Sequence, residues 1–129
     1  MEKIKVLFVD DEADILKVIG TRIESWGYAL FIAKNAKEAL EVLKEDKPDI
    51  AILDYMLPDM DGVDLLREIR KVNKKLAVIM FTAYPNPTAM QDAEKLGINA
   101  FVAKLSVYSD TQELLKTALD MAVKQSTKK

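Results

Sequence analysis

The stretch AILDYMLPDMDG, Ala51–Gly62, decides how the rest of the chain is read. It begins as a short apolar run, the pattern of a strand covered on both faces. The run ends in one carboxylate, Asp54, and breaks into a loop with Pro58, two more acids, Asp59 and Asp61, and then Gly62. A strand buried on both faces has no packing use for a carboxylate at its tip. An acid placed there points to chemistry at the strand end.

The same pattern recurs along the chain. Ile4–Val9, Tyr28–Ala33, Ile50–Leu53, Ala77–Thr82 and Ala100–Ala103 are short apolar runs. Helical stripes separate them. Ile15, Val18, Ile19, Ile23 and Trp26 mark a first helix closed by Gly27. Ala36, Ala39, Leu40 and Leu43 mark a second, with Asn35 as its N-cap. Leu65, Leu66, Ile69 and Val72 mark a third after Gly62. Thr88–Leu96 forms a short fourth closed by Gly97. Leu115, Ala118, Leu119 and Ala122 mark the last, capped by Ser109 or Asp110 with Gln112 or Glu113 three residues on. Five strands alternating with five helices predict an α/β fold, an open, doubly wound, mostly parallel sheet with right-handed crossovers. Residues 1–124 read as one domain, and 125–129 as a disordered tail or the start of a linker.

Composition narrows the chemistry. The chain has 129 residues, half of them hydrophobic, which suits one domain with a real core. Its net charge of −2 argues against direct nucleic-acid binding. No apolar run reaches the roughly 18 residues of a membrane span, and the N-terminus lacks a signal-peptide pattern. A cytoplasmic domain is the expectation. There is no cysteine and no histidine. Thiolate metal sites, disulfides and Ser-His or Cys-His catalysis are excluded, and the chain cannot carry a phosphohistidine. A metal would have to be a hard ion bound by oxygen.

In open α/β sheets, ligands bind beyond the carboxyl ends of the strands. The first strand delivers Asp10 and Asp11 there, the second Lys34 and Asn35, the third Asp54, the fourth Thr82 and the fifth Lys104. Asp10, Asp11 and Asp54 carry −3 together; one divalent ion and Lys104 would balance them. Without the ion, the carboxylates repel and raise one another's pKa. Mg²⁺ accepts carboxylate, carbonyl and water oxygens. A carboxylate beside Mg²⁺ and a lysine is a competent nucleophile toward a phosphoryl group. Asp54 at the strand tip is therefore read as a phosphate acceptor, with the Thr82 hydroxyl donating to a phosphoryl oxygen.

These residues resemble the CheY-like response regulator receiver domains. The likeness covers essentially the whole chain: VDDE after the first strand, LDYMLPDMDG around Asp54, FTAY after the fourth strand and AFVAK in the fifth. It implies a flavodoxin-like (βα)5 fold with strand order 2-1-3-4-5. It implies that Asp54 is phosphorylated, and that Mg²⁺ is held by Asp10 (directly or through water), Asp11, Asp54 and the Met56 backbone carbonyl. Thr82 and Lys104 would contact the phosphoryl group, and Phe101 falls at the aromatic switch position. The donor would be a phosphohistidine on a sensor histidine kinase or histidine phosphotransfer protein. The output would pass to an effector domain or protein through the face of the fourth helix, fifth strand and fifth helix, on a monomer or a phosphorylation-linked dimer. Such a domain catalyses only its own phosphorylation and autodephosphorylation. Two departures follow Lys104. Leu105 stands where the family usually has proline, and Leu105–Asp110 is longer than the usual connection.

Plainer readings stand beside these. Asp10 and Asp11 could be turn residues capping a helix. Asp59 and Asp61 read as loop and turn acids around Pro58 and Gly62 rather than ligands. Trp26 reads as packing at a helix end. Asp59–Val63 resembles the nucleophile motif of haloacid dehalogenase-type phosphatases, but Pro58 precedes it where a strand is required. No window has the glycine and glutamate spacing of an EF-hand. A small aspartyl-phosphate phosphohydrolase and a receiver-like module that no longer uses phosphorylation are the alternatives.

Overall fold

A computed structural model describes residues 3–83, 86–104 and 109–127. The elements alternate without exception: β1 (Lys5–Val9), α1 (Ala13–Ser25), β2 (Ala29–Ala33), α2 (Ala36–Glu45), β3 (Ile50–Leu53), α3 (Gly62–Val72), β4 (Ala77–Thr82), α4 (Pro87–Lys95), β5 (Ala100–Ala103) and α5 (Ser109–Thr127). All strand pairs are parallel, and the order is β2-β1-β3-β4-β5. The sheet is the open parallel one that the alternating pattern predicts, in the flavodoxin-like order that the resemblance to receiver domains implies.

The continuous apolar strands follow from burial on two faces. Along β1, Val6 and Phe8 join one core cluster while Leu7 and Val9 join the other. β3 and β4 divide in the same way, Ile52 and Ile79 to one face, Leu53 and Met80 to the other. The first cluster is completed by α1 and α5, the second by α2, α3 and α4. Strand side chains alternate between faces, so a strand with helices on both sides must be apolar at every position.

The helix ends obey local chemistry. The Asn35 side chain accepts from the Glu38 amide at 2.8 Å, as the N-cap reading requires. Gly27 follows the α1 C-cap with φ of 96°, a left-handed conformation that glycine adopts without cost. α4 begins at Pro87, one residue before the predicted start, because Asn86 accepts from the Ala89 amide and proline suits the first helical position.

Some expected positions differ. Val18 is exposed; the buried face of α1 is Ile15, Leu16, Ile19, Gly20 and Ile23, a stripe that leaves Val18 on its flank. Val72 is 83% exposed, because it sits in the last turn of α3 beyond the residues that meet the sheet. Trp26 is half-buried against the first cluster. α5 runs to Thr127 and so takes in Gln125–Thr127, part of the 125–129 segment expected as a disordered tail or the start of a linker. Tyr84, Pro85 and the Lys104–Leu105 connection with residues 105–108 lie outside the described residues, as do the side chains of Ser109 and Asp110 offered as caps.

Candidate functional site at the carboxyl rim of the sheet

Three polar residues are set by the sheet itself. The Asp10 amide donates to Ala33 O at 3.1 Å, the Asp54 amide to Val9 O at 3.1 Å, and the Lys104 amide to Thr82 O at 2.7 Å. Each is the first residue past its strand, held by the last carbonyl of a neighbouring strand. The ladder thus runs one step beyond the apolar runs and fixes where Asp10, Asp54 and Lys104 start. Thr82 ends β4, fully buried and opposite Ala103 in register.

The side chains meet at Lys104. Its ammonium donates to Asp10 Oδ2 at 2.6 Å and to Asp54 Oδ2 at 3.2 Å, and lies 4.0 Å from Glu12 Oε1. It also sits 5.5 Å from the Phe81 ring centroid, within cation–π range. The Lys104 side chain is only 6% exposed, and Asp10 and Asp54 are buried. Asp10 Oδ1 accepts from the Glu12 amide at 2.9 Å, and Asp54 Oδ1 lies 3.4 Å from the Met56 amide.

The electrostatics show an excess of negative charge. Burial is the largest influence on Asp10 and lifts its carboxyl above the usual range; Lys104 and the Glu12 amide act against this, and the Asp54 charge adds to it. Burial pulls the Lys104 ammonium down, but its hydrogen bond and charge contact with Asp10, followed by Asp54, outweigh burial and leave it raised. Both groups hold protons more tightly than in water. Three carboxylates, those of Asp10, Asp54 and Glu12, lie within 4.0 Å of this one ammonium, so the rim carries more negative charge than Lys104 neutralises.

Asp11 is exposed and belongs to a second grouping. Asp10, Asp11 and Glu12 offer carboxylate oxygens within 4.8 Å of one another, a cluster able to hold a metal ion. These are hard oxygen donors in a chain without cysteine or histidine, which fits a hard divalent cation. Glu12 was not singled out from sequence; its position as the fourth residue of VDDE is the signal that could have found it. Met56 is 53% exposed, two residues beyond Asp54. Phe101 lies on β5, opposite Met80 and half-buried against the cluster that contains α4.

Two acids read as loop residues prove to be caps. Asp61 accepts from the Asp64 amide at 2.8 Å and caps α3. Asp59 accepts from the amides of Ala36 and Lys37 at 2.9 and 3.0 Å, capping α2 from another loop. Those amides, the Ala36 bond foremost, hold the Asp59 carboxyl below its usual range.

Residues 6–119 match the response regulator receiver domain family, and the chain belongs to that family, which operates in two-component regulatory systems. Similar proteins include the sporulation initiation phosphotransferase F of Bacillus subtilis, 29% identical over 91% of this chain and 94% of that protein. They also include the transcriptional regulatory protein GlrR of Escherichia coli, 35% identical over 94% of this chain, and a probable transcriptional regulator ycf27 of Guillardia theta, 39% identical over 79%. The chain spans only 26% of the GlrR length and 40% of the ycf27 length. Among solved structures, a CheY-like receiver domain protein from Methanospirillum hungatei superposes with a TM-score of 0.89 at 26% identity, covering 99% of this chain and 100% of that one. The receiver domain of an HD domain-containing protein from Pseudomonas fluorescens gives 0.89 at 29% identity, with the same coverage.

Proposed function

We propose that this chain is a phospho-acceptor of a two-component phosphorelay and that Asp54 takes the phosphoryl group from a partner's phosphohistidine. The observation that supports this reading most is the buried Lys104 ammonium shared by Asp10 and Asp54. An Asp54 carboxylate oxygen forms a bond to phosphorus as the phosphorus–nitrogen bond breaks. The imidazole leaves with the electron pair and takes its proton from water. Lys104, already charged at the acceptor, stabilises the phosphoryl oxygens, and the Thr82 hydroxyl donates to one of them. When bound, Mg²⁺ supplies positive charge to the transferring group. Asp10, Asp11, Asp54 and the Met56 carbonyl are the residues that would hold it.

The donor is a sensor histidine kinase or a histidine phosphotransfer protein. Output passes through the α4-β5-α5 face, with Thr82 drawn toward the phosphoryl group and Phe101 turning inward. Leu114 and Met121, exposed on α5 off its buried stripe, fit a contact with an effector or a second copy. Relatives that are transcriptional regulators make an attached DNA-binding effector a reasonable recipient. Among the described residues no helix is long and apolar enough to cross a membrane, which accords with cytoplasmic signalling.

The test is incubation with acetyl phosphate and Mg²⁺, followed by intact mass. A gain of one phosphoryl group, lost in Asp54→Asn, is the expected result. Steady multiple turnover without accumulation would favour a phosphohydrolase. No reaction in either protein would favour an interaction module that does not use phosphorylation.

A further inference from the structure

The loop from Asp54 to Gly62 joins the acceptor strand to α3, and it is pinned in three places. At its base the Gly62 amide donates to Tyr55 O at 2.7 Å, and a Cβ on Gly62 would stand 2.3 Å from Asp54 O, so the two ends close on each other. In its middle Leu57 and Met60 pack against the second core cluster. At its far point the Asp59 carboxylate takes the first two free amides of α2, one oxygen to Ala36 and the other to Lys37. The remaining first-turn donors are already served: Glu38 N by the Asn35 side chain and Ala39 N by Asn35 O. A helix N-terminus stabilises a carboxylate through those unpaired amides and its dipole. α2 is therefore capped by two residues of different origin, Asn35 from its own chain entry and Asp59 from the loop that bears Met56.

We infer that Asp59 is a positioning residue for the acceptor site: its two-pronged hold on α2 fixes the Asp54–Gly62 loop and thereby the Met56 backbone beside Asp54. The inference rests on the reading of Asp54 and Met56 as parts of a Mg²⁺-dependent phosphoryl acceptor. Met56 is itself exposed, so its own side chain does little to fix the loop. The anchor must come from its neighbours. Asp61 bonds only into α3, the helix that the loop itself enters; Asp59 is the side chain that reaches a different element, and it ties the loop to the segment that follows β2, whose last carbonyl holds the Asp10 amide. Residues that orient metal ligands from behind typically change metal affinity when removed, without touching the ion.

Two caps on one helix supply the control. Asp59→Ala and Asn35→Ala each strip acceptors from the first turn of α2 and each lower the urea midpoint. Only Asp59→Ala frees the loop. Mg²⁺ titration by calorimetry is expected to show about tenfold weaker binding in Asp59→Ala, with Asn35→Ala within about twofold of the parent. Asp59→Asn, which keeps a carbonyl acceptor, falls between. Amide hydrogen exchange, read without metal, speeds up at Met56–Met60 in Asp59→Ala and not in Asn35→Ala. Parent-like Mg²⁺ affinity and exchange in Asp59→Ala would overturn the inference alone. Equal losses in Asn35→Ala would also overturn it, since the effect would then be that of α2 stability. Parent protein that binds no Mg²⁺ and takes no phosphoryl group would overturn the functional reading and the inference with it.

Discussion

Lys104 and Asp10 meet at 2.6 Å across 94 residues of chain, with neither side chain open to water. Removing the lysine leaves a buried carboxylate whose charge burial already disfavours. We expect Lys104→Met to cost about 3–5 kcal/mol at pH 7. The sign with pH is definite. A group with a raised folded pKa contributes stability in full below its unfolded value, here 3.8 for Asp10, and loses it as pH rises through the folded value. The deficit of Lys104→Met should therefore shrink on acidification as Asp10 takes a proton. Denaturation at a series of pH values checks this, and a deficit constant from pH 7 to 4 would contradict it.

Metal should stabilise the fold. The acids of the rim outnumber Lys104, so a divalent cation relieves repulsion that the folded state alone must bear. At a hundred times its dissociation constant Mg²⁺ should add about 2.7 kcal/mol. Asp54→Ala should reduce both the repulsion and the gain. Thermal melts at neutral pH with and without millimolar Mg²⁺ measure it; curves that coincide would exclude binding.

Tyr28 is pushed up to about 12, first by burial and then by Asp120, whose carboxylate lies 3.4 Å from the phenol oxygen. Alkaline titration of phenolate absorbance should show one late component near that value, absent in Tyr28→Phe. Because the folded pKa is raised, the tyrosine's contribution to stability is intact below pH 10 and fades as pH rises toward 12.

Arg70 ties the ends of two helices together. Its guanidinium donates to Leu96 O at 2.7 Å, Leu76 O at 2.8 Å, Gly97 O at 3.1 Å and Asn73 O at 3.2 Å. Arg70→Met should lower stability by about 1.5–3 kcal/mol, as expected for lost charge-assisted hydrogen bonds. Lysine should recover less than half, since a point ammonium cannot span a planar fork's four acceptors. Urea unfolding of the three proteins decides it.

Met56 sits exposed two residues past Asp54. Its thioether is a weak acceptor and orients water poorly. Once Asp54 is phosphorylated, Met56→Asn should hydrolyse roughly tenfold faster, about 1.4 kcal/mol off the barrier. Decay of the phosphorylated species after donor removal measures this. An unchanged or slower decay would show that this side chain does not govern water access. Tyr84, which by position flanks the same approach, lies outside the described residues.

What the sequence determined by itself was whatever depends on near neighbours in the chain. Apolar runs of four to six residues marked all five strands; in β3 and β4, where every residue is buried, cover on both faces leaves no room for polar alternation. Asn35 was legible as a cap because its partner, Glu38, is three residues away. Asp54 and Lys104 were legible as strand-end residues, because strand ends are local and ligands gather at that rim. Tertiary structure alone decided the rest. The separations of 23 and 22 positions between Asp59 and the Ala36 and Lys37 amides carry no periodic signal, and only the parallel crossover brings that loop to that helix. Val18 and Val72 satisfy a helical stripe on paper, yet the angle and reach of α1 and α3 against the sheet leave both in water. Burial, which raises Asp10, and the contacts with Asp10 and Asp54, which raise Lys104, depend on ångström distances that exist only once β1, β3 and β5 lie side by side with β4.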